Sequence, residues 1–394
     1  MFYTSHLRLI SRLHKKFKTT SDRHIYLVKG PSLVALRGNG SVLGKDVSNS
    51  CILLRAGKIL PFEIDARSKI NVGLDQLAEI WLTQRMLAGT VIWKKLIRTI
   101  FLQQRKKILL IGGTDKGKST LAVHIINTAV KNGYKTAIID ADIGQGDLAP
   151  PNAIGAAIVT KQVTDLRDVD AQLFQFVGNT SPMGSEEIVI QSVINCMKQL
   201  SGCFDICIIN TDGFVENSGI HYKIKLAKEL LPSLIICLGD HSVFRLIKSN
   251  CTFIPVMYSR SPEGMIKSRM ERIASRVDQY IRFVGTPYTN NKVVVLTFNK
   301  IMFVYRGTTL SGIFDDKVGF LYLGKGKDLR IESEKLAGMF VGLGSNERVI
   351  GFGVILKASS CGIFIQSSIN KVDKIFLSNS GLNVDSMSEF KIDY

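Results

Sequence analysis

Residues 112–120 read Gly112-Gly113-Thr114-Asp115-Lys116-Gly117-Lys118-Ser119-Thr120. Gly112, four further residues, then Gly117-Lys118-Ser119 is the G-x-x-x-x-G-K-[ST] spacing of a phosphate-binding loop. The flanks support it. Lys107-Ile-Leu-Leu-Ile111 is a short apolar run with strand character. Beyond the loop Leu121, Ala122, Val123, Ile125, Ile126, Ala129 and Val130 recur at helical spacing, with Gly133 placed to end the helix. Strand, glycine loop and helix together aim backbone N–H groups and the positive end of a helix at a phosphate. In that geometry Lys118 reaches the β- and γ-phosphates of a nucleotide, and the Ser119 hydroxyl sits on Mg²⁺. A chance match in a glycine-rich turn would lack these flanks.

The chain has 394 residues, which predicts two or three domains. Hydrophobic residues make up 45%, enough to build real cores, yet no apolar run approaches the ~18 residues that span a bilayer. No membrane partner is therefore expected. The formal net charge of +18 points to a polyanionic partner, most often nucleic acid. A basic proteome or a membrane-surface role is the competing explanation of that charge. The seven cysteines form no C-x-x-C pair and sit mostly in apolar stretches, so they read as reduced core thiols of a cytoplasmic protein.

Three textures succeed one another. Residues 1–90 are expected to form an N-terminal β module with a helical linker. Its strand runs are Ile25–Val28, Leu33–Leu36, Ile52–Leu54 and Ile59–Leu60, and Leu74 to about Leu102 reads as helix, with Trp81 and Trp93 as packing residues. Met1–Thr20 carries no acid. It reads as a basic arm or as the first strand and turn of a domain rather than a targeting segment. Residues 91–290 alternate strands with helical segments, the strands being Lys107–Ile111, Thr136–Asp140, Phe204–Asn210, Ser233–Leu238 and Val293–Leu296 just past the boundary. That alternation predicts an α/β fold, a P-loop domain with a mostly parallel sheet, flanked by two small β domains. Residues 291–394 form the second of these. Val293–Leu296 fits either sheet.

Candidate chemistry lies at strand ends. Ile138-Ile-Asp-Ala-Asp-Ile-Gly-Gln-Gly146 puts Asp140 and Asp142 at the carboxyl end of a parallel strand, where ligands bind in such sheets. An acid there holds Mg²⁺ through water or takes a proton from a nucleophile, and Gln145 is placed to assist. Asn210-Thr-Asp-Gly-Phe214 ends another strand. Asp212 competes as metal site, Thr211 is a phosphate contact, and Phe214 either stacks a base or packs in the core. Arg269, Arg272 and Arg276 share one helical face beside an apolar stripe of Ile266, Met270, Ile273 and Val277. Packing of that stripe would turn the arginines outward, where they could stabilise a transferring phosphoryl group. A solvated basic face is the alternative.

These residues resemble the polynucleotide 5′-hydroxyl kinases related to the Clp/Grc RNA-processing proteins, the archaeal members in particular. The likeness is carried by the loop 112–120, Asp142-Ile-Gly-Gln145, Ser181-Pro182, Asn210–Phe214, and the arginine helix after Ser261-Pro262. It covers nearly the whole chain. It implies transfer of the ATP γ-phosphate to the 5′-hydroxyl of RNA or DNA, with Gly112–Thr120 binding ATP and Ser119 and Asp142 near Mg²⁺. Lys118, Asp142, Gln145, Arg272 and Arg276 would be catalytic, while Thr211, Phe214 and Arg269 would meet substrate. Phe214 stands where the family usually has Trp, and either Arg269 or Arg272 could fill the first lid position. Two other readings stay open: an ATP-binding RNA-processing scaffold without turnover, and a partition-type ATPase. Against the ATPase, Gly113 occupies its signature-lysine position.

Overall fold

The computed structural model describes residues 13–18, 24–75, 78–83, 89–262, 266–285, 292–324, 329–346, 348–383, 386 and 388–393. Residues 1–12 of the proposed arm lie outside this set. Backbone contacts divide the chain into two compact units, one of 1–138, 158–169 and 202–275, the other of 139–157, 170–201 and 276–394.

In the first unit two antiparallel sheets form the N-terminal region. One runs in the order Leu13–Lys18, Lys69–Leu74, Ser32–Arg37, Cys51–Leu54, and the other Lys45–Asp46, Gly40–Val42, Ile59–Ile64, His24–Lys29, Glu79–Leu82. Ser32–Arg37 alternates buried and less buried residues, as a half-covered strand must. Val28, Val34, Val42, Phe62, Ile64, Ile70 and Val72 are its buried core. Glu79–Leu82, expected as helix, is instead a strand paired with Tyr26–Lys29. The helix described in this stretch runs from Gly89 to Leu102 and buries Trp93 completely. Lys58 and Arg55 meet Asp165 at 2.9 and 3.3 Å. Burial alone would raise the Asp165 pKa, but Lys58, Arg167 and Arg55 hold it below the usual carboxylate range.

The seven-stranded central sheet has the order Leu173–Phe176, Ala153–Val159, Thr136–Ala141, Ile206–Thr211, Lys107–Gly112, Leu234–Leu238, Val256–Ser259. Lys107–Gly112 is parallel to both its neighbours, and Leu234–Leu238 is parallel to the edge strand Val256–Ser259. Every residue of Ile206–Thr211 and Leu234–Leu238 is buried, the run expected of a strand covered on both faces. The pair Ala153–Val159 and Leu173–Phe176 is antiparallel. Its first strand reads Ala-Ile-Gly-Ala-Ala-Ile-Val, where one glycine and three alanines dilute the β-branched signal of Ile154, Ile158 and Val159.

In the second unit a seven-stranded sheet runs Lys292–Leu296, Gly362–Ser367, Arg348–Ser359, Phe340–Ser345, Lys374–Phe376, Met302–Tyr305, Thr308–Leu310. Lys292–Leu296 pairs with Ile363–Ser367, so this strand belongs to the C-terminal sheet. Phe303, Leu321, Ile331, Val341, Ile355 and Ile365 fill the core beneath it. Among the described residues no helix is long and apolar enough to cross a membrane.

Candidate nucleotide and phosphoryl-transfer site

The phosphate loop leaves Lys107–Gly112 and enters the helix Lys118–Lys131, whose buried face is Leu121, Ala122, Val123, Ile125, Ile126 and Ala129. Gly117 is the N-cap at φ 87°, left-handed, and no side chain caps the helix. The first-turn amides are thus not claimed by a capping residue, which is the condition for holding an anion there. Lys118, only 7% exposed, places Nζ 2.8 Å from the carbonyl oxygens of both Gly112 and Gly113. Its charge is thereby fixed over the loop. Asn210 Nδ2 donates to Ser119 Oγ at 3.2 Å, tying the loop to the end of Ile206–Thr211. An oxygen ligand on a hydroxyl and a lysine beside uncapped amides are the donor set that fits a magnesium–nucleotide pair.

Asp115 and Arg272 meet across the loop, Arg272 Nη2 lying 2.6 Å from Asp115 Oδ2. The Lys267 amide donates to that same oxygen at 3.0 Å, and Ser261 Oγ donates to the Lys116 carbonyl at 2.9 Å. The arginine helix spans Arg269–Val284. Ser268 and Glu271 start it with a reciprocal capping box, Ser268 N to Glu271 Oε2 at 2.7 Å and Glu271 N to Ser268 Oγ at 3.2 Å.

The expected apolar stripe of this helix packs only in part, Ile273 and Val277 being half-buried. Ile266 and Met270 are 80% and 72% exposed, whereas Ser275, Gln279, Tyr280 and Val284 are buried. Polar partners explain the difference. Gln279 Nε2 donates to the carbonyls of Gly146 and Ala149, and Tyr280 OH accepts from Asn152 Nδ2. Nor do the arginines all face solvent. Arg269 is exposed, Arg272 pairs with Asp115, and Arg276 Nε lies 2.6 Å from Glu389 Oε2.

In the second unit the acidic loop after Thr136–Ala141 is internally braced. Asp140 Oδ2 accepts from Asp147 N at 2.6 Å and Leu148 N at 3.3 Å. Asp140 is buried, and this is structural bracing. Asp142 Oδ1 accepts from Gln145 N at 2.8 Å and Gly144 N at 3.2 Å, a turn that fixes the carboxylate's direction. A Cβ on Gly144 would come within 2.6 Å of the Thr180 carbonyl oxygen, so only glycine lets the 178–182 turn approach.

Asp212, the competing metal acid, is occupied. Its Oδ2 is 2.7 Å from Lys223 Nζ and accepts from Tyr222 OH at 3.1 Å, and Oδ1 accepts from Phe214 N at 2.8 Å. Lys223 is fully buried, so Asp212 is its counter-ion. Thr211 is buried too, its hydroxyl donating to Leu110 O at 2.7 Å. Phe214 is half-buried at the strand end, against Gly219. Sequence reading did not pick out Lys223, Gln279 or Glu389, quoted Asn210 within its motif without a role, and treated Asp115 only as part of the loop. Their types are ordinary and, Lys223 apart, their partners are distant in sequence. None of the seven cysteines is in a disulfide, and burial pushes the thiols of Cys196 and Cys237 up to about 12.

The fold and this loop define a P-loop nucleotide-binding protein. Residues 112–284 match the family model described as mRNA cleavage and polyadenylation factor CLP1 P-loop. Similar proteins include a polyribonucleotide 5′-hydroxyl-kinase of Pyrococcus abyssi, 28% identical over 53% of this chain and 57% of its own length. Another is the Methanocaldococcus jannaschii protein of the same name, 29% identical over 51% of this chain and 55% of its own. The chain therefore matches a little over half the length of these archaeal relatives. In a solved complex of wild-type Clp1p with Pcf11p, the matching chain aligns with a TM-score of 0.70. The alignment covers 94% of this chain and 98% of that one at 12% identity, a likeness of fold.

Proposed function

We propose that this protein is an ATP-dependent polynucleotide kinase that moves the γ-phosphate of ATP to the 5′-hydroxyl end of RNA, with DNA as a further acceptor. The observation that carries the reading is an uncapped phosphate loop with an arginine helix anchored directly on it, through Asp115 and Arg272. The similarity of residues 112–284 to the Clp1 P-loop family, and the names of the archaeal relatives, support the same activity.

Gly112–Thr120 hold the triphosphate, and Lys118 places its charge at the β- and γ-phosphates. Mg²⁺ would be held through the Ser119 hydroxyl, where it would supply neutralising charge on the phosphates. The substrate's 5′-oxygen forms a bond to the γ-phosphorus while the bond from that phosphorus to the bridging oxygen breaks, releasing ADP. The hydroxyl proton passes to Asp142, whose direction is set by the amides of Gly144 and Gln145. Gln145 positions the attacking oxygen. Arg272 and Arg276 meet the developing charge, with Arg269 and Phe214 on the substrate side. Thr211 braces this end of the sheet through Leu110. Positioning and charge stabilisation suffice here without a covalent intermediate. The division into 1–90, 91–290 and 291–394 is kept in this reading, with the kinase chemistry assigned to 91–290.

The test is transfer of labelled γ-phosphate to an RNA oligonucleotide with a 5′-hydroxyl, beside one already 5′-phosphorylated. Label on the first alone, lost in Lys118→Ala, is expected. ATP hydrolysis indifferent to 5′-hydroxyl ends, with no label on RNA or DNA, overturns the kinase reading in favour of an ATPase. ATP binding without turnover favours a scaffold.

A further inference from the structure

A pocket of about 420 Å³ opens in the first unit between the helix Gly89–Leu102 and the edge strand Val256–Ser259. Leu96 and Met257 give it apolar lining, while Lys95, Arg260, His241 and Tyr258 bring charge and flat rings. His241 and Tyr258 are stacked, their centroids 3.8 Å apart and planes 23° from parallel. Phe244 adds a third ring 5.8 Å from Tyr258, with Lys248 Nζ 5.6 Å above it.

The charged side chains that line the pocket are all basic. Arg98 lies one turn beyond Lys95, and Arg245 one turn beyond His241, so each flanks a lining residue without itself lining the pocket. Lys95, Arg98, Arg245, Lys248 and Arg260 are all exposed, and none forms an ion pair among the described residues. The helices Gly89–Leu102 and His241–Asn250 contain no acidic residue. Asp240, the nearest acid in sequence, spends Oδ1 capping its helix through Ser242 and Val243.

Pocket and phosphate loop are neighbours. Ser259 O accepts from Gly239 N at 2.9 Å, and the chain then runs through Arg260 to Ser261, whose hydroxyl meets the Lys116 carbonyl. In strand order, however, the pocket lies across the loop strand from Phe214. Ile206–Thr211 is on one side of Lys107–Gly112, with Leu234–Leu238 and Val256–Ser259 on the other.

We infer that this pocket is a second contact site for the polynucleotide, taking a base against the His241–Tyr258 stack and phosphates on Lys95, Arg260 and the adjoining cations. The inference rests on the kinase reading for its substrate class. Aromatic platforms among unpaired cations are how single strands are held without regard to sequence. The base of a bound nucleoside triphosphate shares this chemistry. Five cations spread over two helices and a strand end exceed what one nucleotide needs, since its phosphates already have the loop.

The experiment is fluorescence anisotropy with a 5′-phosphorylated single-stranded RNA oligonucleotide, which cannot be a substrate. Binding is thereby read apart from turnover, and a failed kinase assay leaves this measurement intact. Lys95→Glu combined with Arg260→Glu is expected to weaken RNA binding about tenfold or more near 0.1 M salt, and to flatten the logarithmic salt slope by about two. His241→Ala is expected to weaken it severalfold. The Tm and ATP affinity should stay unchanged, and Lys317→Glu, an exposed charge in the second unit, should have little effect. Unchanged RNA affinity overturns the inference and leaves the pocket to an acidic peptide. A fall in ATP affinity with RNA affinity intact overturns it in favour of the nucleotide's own base. Equal weakening by Lys317→Glu overturns it as general charge.

Discussion

Arg272 Nη2 lies 2.6 Å from Asp115 Oδ2, so the arginine helix is fastened to the phosphate loop itself. Asp115 adopts φ 57°, and its carboxylate also accepts from the Lys267 amide, so loop and helix entrance share one anchor. Arg272 is about one-third exposed, and a pair this wet contributes little stability. Its value lies in where it leaves the guanidinium. Arg272→Ala is expected to slow transfer on the order of 10²–10³-fold, with a much smaller change in ATP affinity. Asp115→Asn should cost less, because the arginine remains but is less well aimed. Single-turnover kinetics beside ATP titration measure both. Faster transfer in Asp115→Asn would mean that the pair restrains the arginine rather than aiming it.

The two strand-end acids separate by their partners. Asp212 neutralises Lys223, which is fully buried. Asp212→Asn strands that ammonium, and breaking a buried pair costs about 3–5 kcal/mol. The variant should therefore lose stability in thermal or denaturant melts. Asp142→Asn should melt like the parent and lose transfer by roughly 10²–10⁴-fold, the range of general-base catalysis. Greater damage to chemistry from Asp212→Asn in protein that remains folded would reverse the two roles.

His124 makes stability depend on pH. It lies on the phosphate-loop helix, and burial pushes its imidazole down to about 4 from an ordinary 6.5. Between those values the unfolded chain takes the proton first. The stability is thus complete above about pH 6.5 and is lost as pH falls toward 4. The loss attributable to His124 at pH 5 is on the order of 1–2 kcal/mol. His124→Gln should show a smaller fall in Tm between pH 7 and pH 5 than the parent. Parallel Tm–pH curves would assign the acid sensitivity elsewhere.

The parts written contiguously were legible. Nine consecutive residues spell the phosphate loop, and the strands around it are largely apolar runs, so their type and their places along the chain could be read, while their order in the sheet came from the structure. What escaped depends on pairing across the chain. Asp115 and Arg272 are 157 residues apart, and neither type announces the other. The arginine helix buries Ser275, Gln279 and Tyr280, satisfied by hydrogen bonds, so a hydrophobic pattern matched the packed face only in part. Glu79–Leu82 is too short to declare a period, and pairing with His24–Lys29 decided it. Asp142 and Asp212 looked alike as strand-end acids until Lys223 was seen to claim one of them.

Phe214 offers the most direct probe of substrate binding, because its backbone is fixed independently of its ring. Asp212 Oδ1 holds the Phe214 amide at 2.8 Å, while the ring rests where a Cβ on Gly219 would come within 2.9 Å of Phe214 Cγ. That Cβ would also lie 2.7 Å from the Phe214 carbonyl oxygen, so Gly219→Ala must displace the whole residue. If the ring stacks the terminal base, Phe214→Ala should weaken binding of a 5′-hydroxyl oligonucleotide by about 1–3 kcal/mol with little change in Tm. Phe214→Trp should retain binding, since a larger ring keeps the stacking face. Gly219→Ala should reproduce the binding loss without removing the ring, by moving it. Oligonucleotide titration beside a melt separates the outcomes. A loss of about 3–5 kcal/mol in stability with unchanged oligonucleotide affinity would return Phe214 to the core.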